Sequence, residues 1–214
     1  MKQGPYVAMR PTGPIERTGG EVSLRYALLA LLTSQPLTGY DVFKQFEQSV
    51  GYVWHAPDSQ IYPELRRMEK DGLLRGVEEA WGKKGKKKRY HITPEGVEAF
   101  RAWINTTLDY TRERDPIHLK AAYLEWAEPD AARAQMQAHI AYHSSRAQQW
   151  QEMIAALEDR SNPILATRLE AAPEADRAKI AGYKIFTYEG MIERANAEIQ
   201  WARRGLELID KLES

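Results

Sequence analysis

The chain has 214 residues with 30 basic and 30 acidic side chains, so its formal charge is zero and no overall positive field marks it as a nucleic-acid binder. Its 43% hydrophobic content suffices for a packed core in one domain or two small ones. It contains no cysteine, which excludes disulfides, thiolate metal sites and a cysteine nucleophile and fits a reducing cytoplasm. The first residues lack the apolar core of a signal peptide, and no run approaches the ~20 apolar residues of a membrane helix. A soluble, cytoplasmic protein without membrane contact is expected. Charge is distributed unevenly: residues 1–109 carry 16 basic and 13 acidic groups, net +3, and residues 110–214 carry the opposite excess. Six of the seven residues from Lys83 to Arg89 are basic.

Residues 1–20, rich in glycine and proline, read as a flexible N-terminal extension. Leu24, Ala27, Leu28, Leu31 and Leu32 then predict a helix buried over a wide arc, ended by Gln35-Pro36. Thr38 and Asp41 make a Thr-x-x-Asp capping signature for a second helix that carries Val42, Phe43 and Phe46 and stops near Gly51. A third helix is expected from Ser59 to Asp71, closed by Gly72, with Asp58 or Ser59 as its N-cap and Pro63 in or just past its first turn. Ile61, Leu65 and Met68 form its single apolar stripe, leaving Tyr62, Pro63, Arg66, Arg67 and Lys70 beside or opposite that stripe. Two short strands follow, Leu73 to Val77 and Arg89 to Ile92, with the glycine- and lysine-rich run 82–88 as a hairpin tip. Thr93-Pro94 starts a fourth helix, and residues 109–116 read as a domain boundary. The expected architecture is mainly α: a winged helix-turn-helix domain over 21–110 and an all-α helical domain over 111–214.

The second half is helical throughout: a short helix over 117–127, a long one from Pro129, a connection over 161–173 and a last long helix. In the first long helix Met136, Ile140, His143, Ala147, Trp150, Ile154 and Leu157 alternate spacings of four and three. In the last helix Ile185, Tyr188, Ile192, Ala195, Ile199, Ala202, Leu206 and Ile209 do the same. The two should fold back as an antiparallel pair whose apolar faces exceed what one hairpin covers. Ile140, Trp150, Ile154, Leu157, Ile185, Tyr188, Ile192, Ile199, Leu206 and Ile209 are therefore the expected homodimer interface.

A helix presenting polar groups, followed by a hairpin with a cationic tip, suits double-stranded DNA: the helix enters the major groove and the tip reaches phosphates. Base or phosphate contacts are expected from Ser59, Gln60, Tyr62, Pro63, Arg66 and Arg67, since Gln pairs with adenine and Arg with guanine. Lys83, Lys84, Lys86, Lys87, Lys88 and Arg89 are the expected backbone contacts, with Thr38 and Tyr40 as further donors beside them. Enzyme signatures are absent: there is no Gly-x-Gly-x-x-Gly or Gly-x-Ser-x-Gly, and Gly82-Lys83-Lys84-Gly85-Lys86 fails the P-loop spacing. The competing reading is a winged-helix module that binds protein, against which the lysine run argues. Trp103, Tyr123, Trp126, Trp150, Tyr183 and Trp201 are candidates for an aromatic ligand pocket. His139 and His143 have the spacing of a metal pair. No third ligand stands beside them in the sequence, so no metal or cofactor is expected and a hydrogen-bonded interface histidine is the reading.

Tyr26-Ala27-Leu28-Leu29, Leu37-Thr38-Gly39-Tyr40-Asp41, the run from Ile61 to Leu74 and Arg89 to Gly96 stand in a specific order and spacing. Together they resemble the PadR family of transcriptional regulators, and the helical second half resembles the C-terminal domain of its longer members. The resemblance implies a homodimer joined through the C-terminal helices, repression at a palindromic operator, and in some members release of DNA by a small aromatic effector. It also makes Tyr62 a phosphate contact. The N-terminal twenty residues and the unusually lysine-rich wing depart from the family pattern, the latter implying strong non-specific electrostatics.

Overall fold

The computed structural model describes residues 19–54, 56–81, 85–110 and 114–213. The N-terminal half is built on α1 (Gly19–Leu32), which lies against α2 (Gly39–Gln48), α3 (Asp58–Lys70) and α4 (Pro94–Ile104). Leu28, Leu29 and Leu32 of α1 meet Val42 and Phe46 of α2 and Ile61, Leu65 and Met68 of α3 in one core. A two-residue strand β1 (Leu37–Thr38) and the hairpin β2 (Leu74–Trp81) and β3 (Gly85–Ile92) make a three-stranded antiparallel sheet in the order β1-β3-β2. β1 pairs Leu37 with Tyr90 and Thr38 with Arg89, so the wing is stitched to the turn that opens α2.

Helix ends follow local chemistry. Thr38 caps α2 by accepting from the Asp41 amide at 3.2 Å and donating to its carboxylate at 2.7 Å. Thr93 caps α4 by accepting from Gly96 N–H at 3.0 Å, and its hydroxyl donates to Gly72 O at 2.7 Å. α3 ends in a left-handed Gly72 at φ 78°, with Gly72 N–H donating to Glu69 O and Leu73 N–H to Met68 O. That is the Schellman pattern, in which only glycine is free of steric cost.

Three expectations are corrected at the element level. α3 begins at Asp58, with Pro57 at the cap position, and the Asp58 carboxylate accepts from Ser59 N–H at 2.7 Å inside the first turn. Pro63 is consequently its sixth residue, and its missing N–H leaves the Ser59 carbonyl without a helical donor at an exposed position. The expected helix over 117–127 is broken into α5 (Pro116–Ala121) and a 3-10 turn at Leu124–Trp126, and the connection over 161–173 holds a helix, α7 (Pro163–Ala171), capped by Asn162.

The long helices α6 (Pro129–Glu158) and α8 (Glu174–Glu213) pack as an antiparallel pair. This is the pairing that the heptad spacing predicts. Trp150, Ile154, Leu157, Ile185, Tyr188 and Ile192 lie in one apolar cluster of this hairpin, and Ile140, Leu206 and Ile209 in another; Ile199 is buried as well. These residues pack the hairpin within one chain, and Ile140, Ile154, Ile185, Ile192 and Leu206 among them stay half-buried. A heptad seam states that two helices meet and not whether they share a chain. No helix among the described residues is long and apolar enough to cross a membrane.

The C-terminal half grips the first through long side chains that cap exposed carbonyls. Arg146 of α6 donates to Tyr52 O at 3.0 Å, and Arg168 of α7 donates to Ala30 O and Thr33 Oγ1 at 3.1 and 3.0 Å. Tyr188, its phenol pushed up to about 12 by burial, approaches Ser49 O at 3.4 Å.

Within the first half one charged group is buried. Glu64, on the core side of α3, accepts from Arg25 Nε of α1 at 2.7 Å and from Arg67 at 3.0 Å, while Arg25 also pairs with Asp71 at 2.8 Å. Replacing Arg25 by Ala removes one of Glu64's two cations in a low-dielectric site and is expected to cost about 2–3 kcal/mol of stability, read as a lower urea midpoint by circular dichroism. Glu64→Gln should cost less, because an amide left there carries no buried charge.

Candidate nucleic-acid interface

The side of α3 opposite its core stripe is polar and open. Ser59, Gln60, Tyr62 and Arg66 are exposed, whereas Ile61, Glu64, Leu65 and Met68 are buried. This division follows from 3.6-residue spacing, with the stripe and Glu64 fixing the helix's rotation. Arg67 is exposed but bonded to Glu64, so it braces the helix, and Pro63 is half-buried. Tyr62 lies across the start of α2: a Cβ added at Gly39 would meet its Cε1 at 2.9 Å. Tyr40, 66% exposed, stands beside it. Thr38 is only 6% exposed and its hydroxyl is committed to the α2 cap, which makes it a positioning residue for Tyr40. Between these groups and β3 lies a cleft of about 580 Å³ lined by Gly39, Tyr40, Asp41, Tyr62, Lys87, Lys88 and Tyr90.

The wing differs from the sequence reading. The strands are longer than expected, so Lys86, Lys87 and Lys88 join Arg89 within β3 and do not lie at a hairpin tip; Lys83 and Lys84 fall outside the described residues. The strand cations are paired with carboxylates. Lys86 Nζ meets Glu78 at 2.8 Å, Arg89 Nε meets Glu79 at 2.7 Å, and Lys87 reaches the same Glu79 at 3.8 Å. Lys88 reaches back to Glu69 of α3 at 3.0 Å, and Arg89 also donates to Pro36 O at 3.1 Å. Strand alternation explains the sorting: Lys86 shares a face with Glu78, and Lys87 and Arg89 share the other with Glu79.

These pairs hold the Glu78 and Glu79 carboxyls below the usual glutamate range, through hydrogen bonds from Lys86 and Arg89 respectively. The bonds to Glu78 and Glu79 raise Lys86 and Arg89 in turn, and the bond to Glu69 raises Lys88. The lowered carboxyls contribute to folding above their unfolded pKa, and that contribution is lost as pH falls through their folded values. Around neutrality the lattice is intact and the wing presents far less unpaired charge than its lysine run suggests. Glu69, Glu78 and Glu79 were the residues sequence reading missed. The signal was available: two glutamates eight to ten residues before the cations they pair with, across a hairpin.

The expected aromatic pocket is not assembled as one. Trp103 stacks on Tyr26 at 4.7 Å and 8°, fixing α4 to α1. Trp150 is buried in the α6–α8 seam with Arg146 4.8 Å over its ring, while Tyr123 and Trp126 are exposed near the 3-10 turn.

The fold is that of a winged helix-turn-helix protein carrying a C-terminal helical hairpin. Residues 28–102 match the model of the transcriptional regulator PadR-like family, and residues 113–210 match that of the virulence activator alpha C-terminal region. Over the first stretch the chain is similar to PadR-like transcriptional regulators, and over the second to the C-terminal region of the virulence activator family. The negative transcriptional regulator PadR of Bacillus subtilis is 37% identical over 81 residues, 38% of this chain and 44% of that protein, so the match spans less than half of the relative. Among solved structures, Bacillus subtilis PadR in complex with operator DNA aligns with TM-score 0.68 at 24% identity, over 87% of this chain and 99% of that one. The same protein in complex with p-coumaric acid aligns with TM-score 0.64 at 23% identity, over 87% and 98%. At these identities the likeness concerns the fold.

Thr38→Val deletes both halves of the α2 cap at constant shape. It is expected to lower stability by about 1 kcal/mol in a urea titration.

Proposed function

We propose that this chain is a homodimeric transcriptional repressor that binds a palindromic DNA operator. Its α3 enters the major groove and its wing lies on the flanking phosphates. The observation that carries the reading is the face of α3: Ser59, Gln60, Tyr62 and Arg66 are exposed together on a helix whose opposite side is locked into the core. Gln60 and Arg66 are the base readers, and Tyr62 and Tyr40 hydrogen-bond phosphates. Lys83 and Lys84, together with those strand cations that exchange a glutamate for a phosphate, supply the salt-dependent part.

A second copy is the proposed cover for the apolar surface that remains after the hairpin closes. Tyr183 and Phe186 on α8 are 66% and 69% exposed, Leu208 and Leu212 farther along are 55% and 72%, and Trp126 is 87%. Such a surface on one chain marks a site of association. A small aromatic acid is the proposed effector. Beside the C-terminal end of α8 a cleft of about 630 Å³ is lined by Leu124, Ala132, Met136, Trp201 and Leu208, with Arg204 placed to meet a carboxylate.

Fluorescence anisotropy with a duplex from the gene's own upstream region, against a scrambled duplex over a salt series, tests the reading. Preference for the upstream duplex by ~10³-fold is expected, with Arg66→Ala costing about 1–3 kcal/mol of it. Glu79→Gln should tighten binding to both duplexes and steepen the log–log salt slope by about one unit, because it releases a wing cation for phosphate. Equal binding to both duplexes by the unaltered chain at every salt concentration would contradict the regulator reading. Sedimentation of Phe186→Glu and Leu212→Glu should show monomers where the unaltered chain sediments as a dimer.

A further inference from the structure

His139 and His143 occupy one face of α6, a turn apart, and the structure supplies what their spacing in the sequence lacked. Glu198 of α8 stands opposite, with its Oε2 3.0 Å from His139 Nε2. The two imidazoles approach each other at 4.3 Å between ring centroids, and one ligand atom from each of the three side chains lies within 4.8 Å of the others. The group is half-buried, with His139 10% and Glu198 24% exposed at the side chain, in a seam otherwise made of apolar residues such as Met136, Ile199 and Ala202. Trp201 closes one side, its ring edge-on to His139 at 5.5 Å.

We propose that His139, His143 and Glu198 form a binding site for one divalent transition-metal ion of the zinc, cobalt or nickel class, cross-linking α6 to α8. Two imidazoles and a carboxylate are a ligand set these borderline metals accept, with a fourth position left to water or a small ligand. Metal–ligand bonds of ~2.0–2.2 Å in a tetrahedron put ligand atoms roughly 3.4 Å apart. The His139–Glu198 pair, at 3.0 Å, is already near that separation, and the other ligand atoms lie within 4.8 Å. Burial, with His139 and Arg194 beside it, holds the His143 imidazole below the usual histidine value. Arg194 weighs against a cation here, and the Glu198 carboxylate offsets it. The site lies one helical turn before Arg146, the side chain that joins α6 to Tyr52 of the N-terminal half.

The test is calorimetric titration of tag-free, chelator-treated, full-length protein with Zn(II), accompanied by Co(II) for the visible absorption of a tetrahedral complex. One equivalent per chain at micromolar affinity or tighter is expected, with a melting temperature raised by ~5–10 °C at a hundredfold excess over Kd. Glu198→Gln and His143→Asn should each weaken binding at least tenfold while the metal-free melts stay close to the unaltered protein, and His91→Ala should bind normally. No binding by the unaltered chain would overturn the proposal. Equal binding by the unaltered chain, Glu198→Gln and His143→Asn would do so too, since the ion would then sit elsewhere.

Discussion

The orientation of α3 rests on a buried ion pair. Glu64 sits on the same side of the helix as Ile61, Leu65 and Met68, and its carboxylate is held by Arg25 from α1. Hydrophobic packing alone tolerates some rotation of a helix about its axis, whereas a desolvated carboxylate bonded at 2.7 Å does not. Arg25 extends the constraint to Asp71, at the end of the same helix, so both its middle and its C-terminus are referred to α1. The outward set of Ser59, Gln60, Tyr62 and Arg66 follows from that lock. Breaking it would leave the residues in place chemically and misaimed geometrically.

The wing obeys a similar economy of charge. Four strand cations face three carboxylates, Glu69, Glu78 and Glu79, and the Lys88–Glu69 pair ties the hairpin to α3. Exposed pairs of this kind contribute little to stability, and their effect here is to set position and to moderate charge. A wing of bare lysines would bind any duplex tightly and discriminate poorly. One whose cations must leave a glutamate before meeting a phosphate gives up affinity everywhere and leaves discrimination to α3.

Much of this was legible in the sequence where the determinant is local. The Thr38 and Thr93 caps, the Gly72 terminator and the stripe of Ile61, Leu65 and Met68 depend on neighbours within a few residues, and each stands where the spacing put it. What failed depended on partners distant in the chain. The lysines look free until the hairpin register sets Glu78 and Glu79 beside them. The histidine pair lacks a third ligand until α8 brings Glu198 across from a position 59 residues from His139. In the same way, Arg146, Arg168 and Tyr188 reveal their role only as caps on carbonyls of the other half.

The proposed function requires the exposed face of α3 to touch bases. A photoreactive residue placed at position 60, with a second protein carrying it at Arg75 on the exposed start of β2 as control, tests this directly on the upstream duplex. Position 60 is expected to crosslink to bases of the duplex at specific nucleotides, and position 75 is not. Retained binding with no crosslink from position 60 would contradict the proposed function, because α3 would then lie outside the groove.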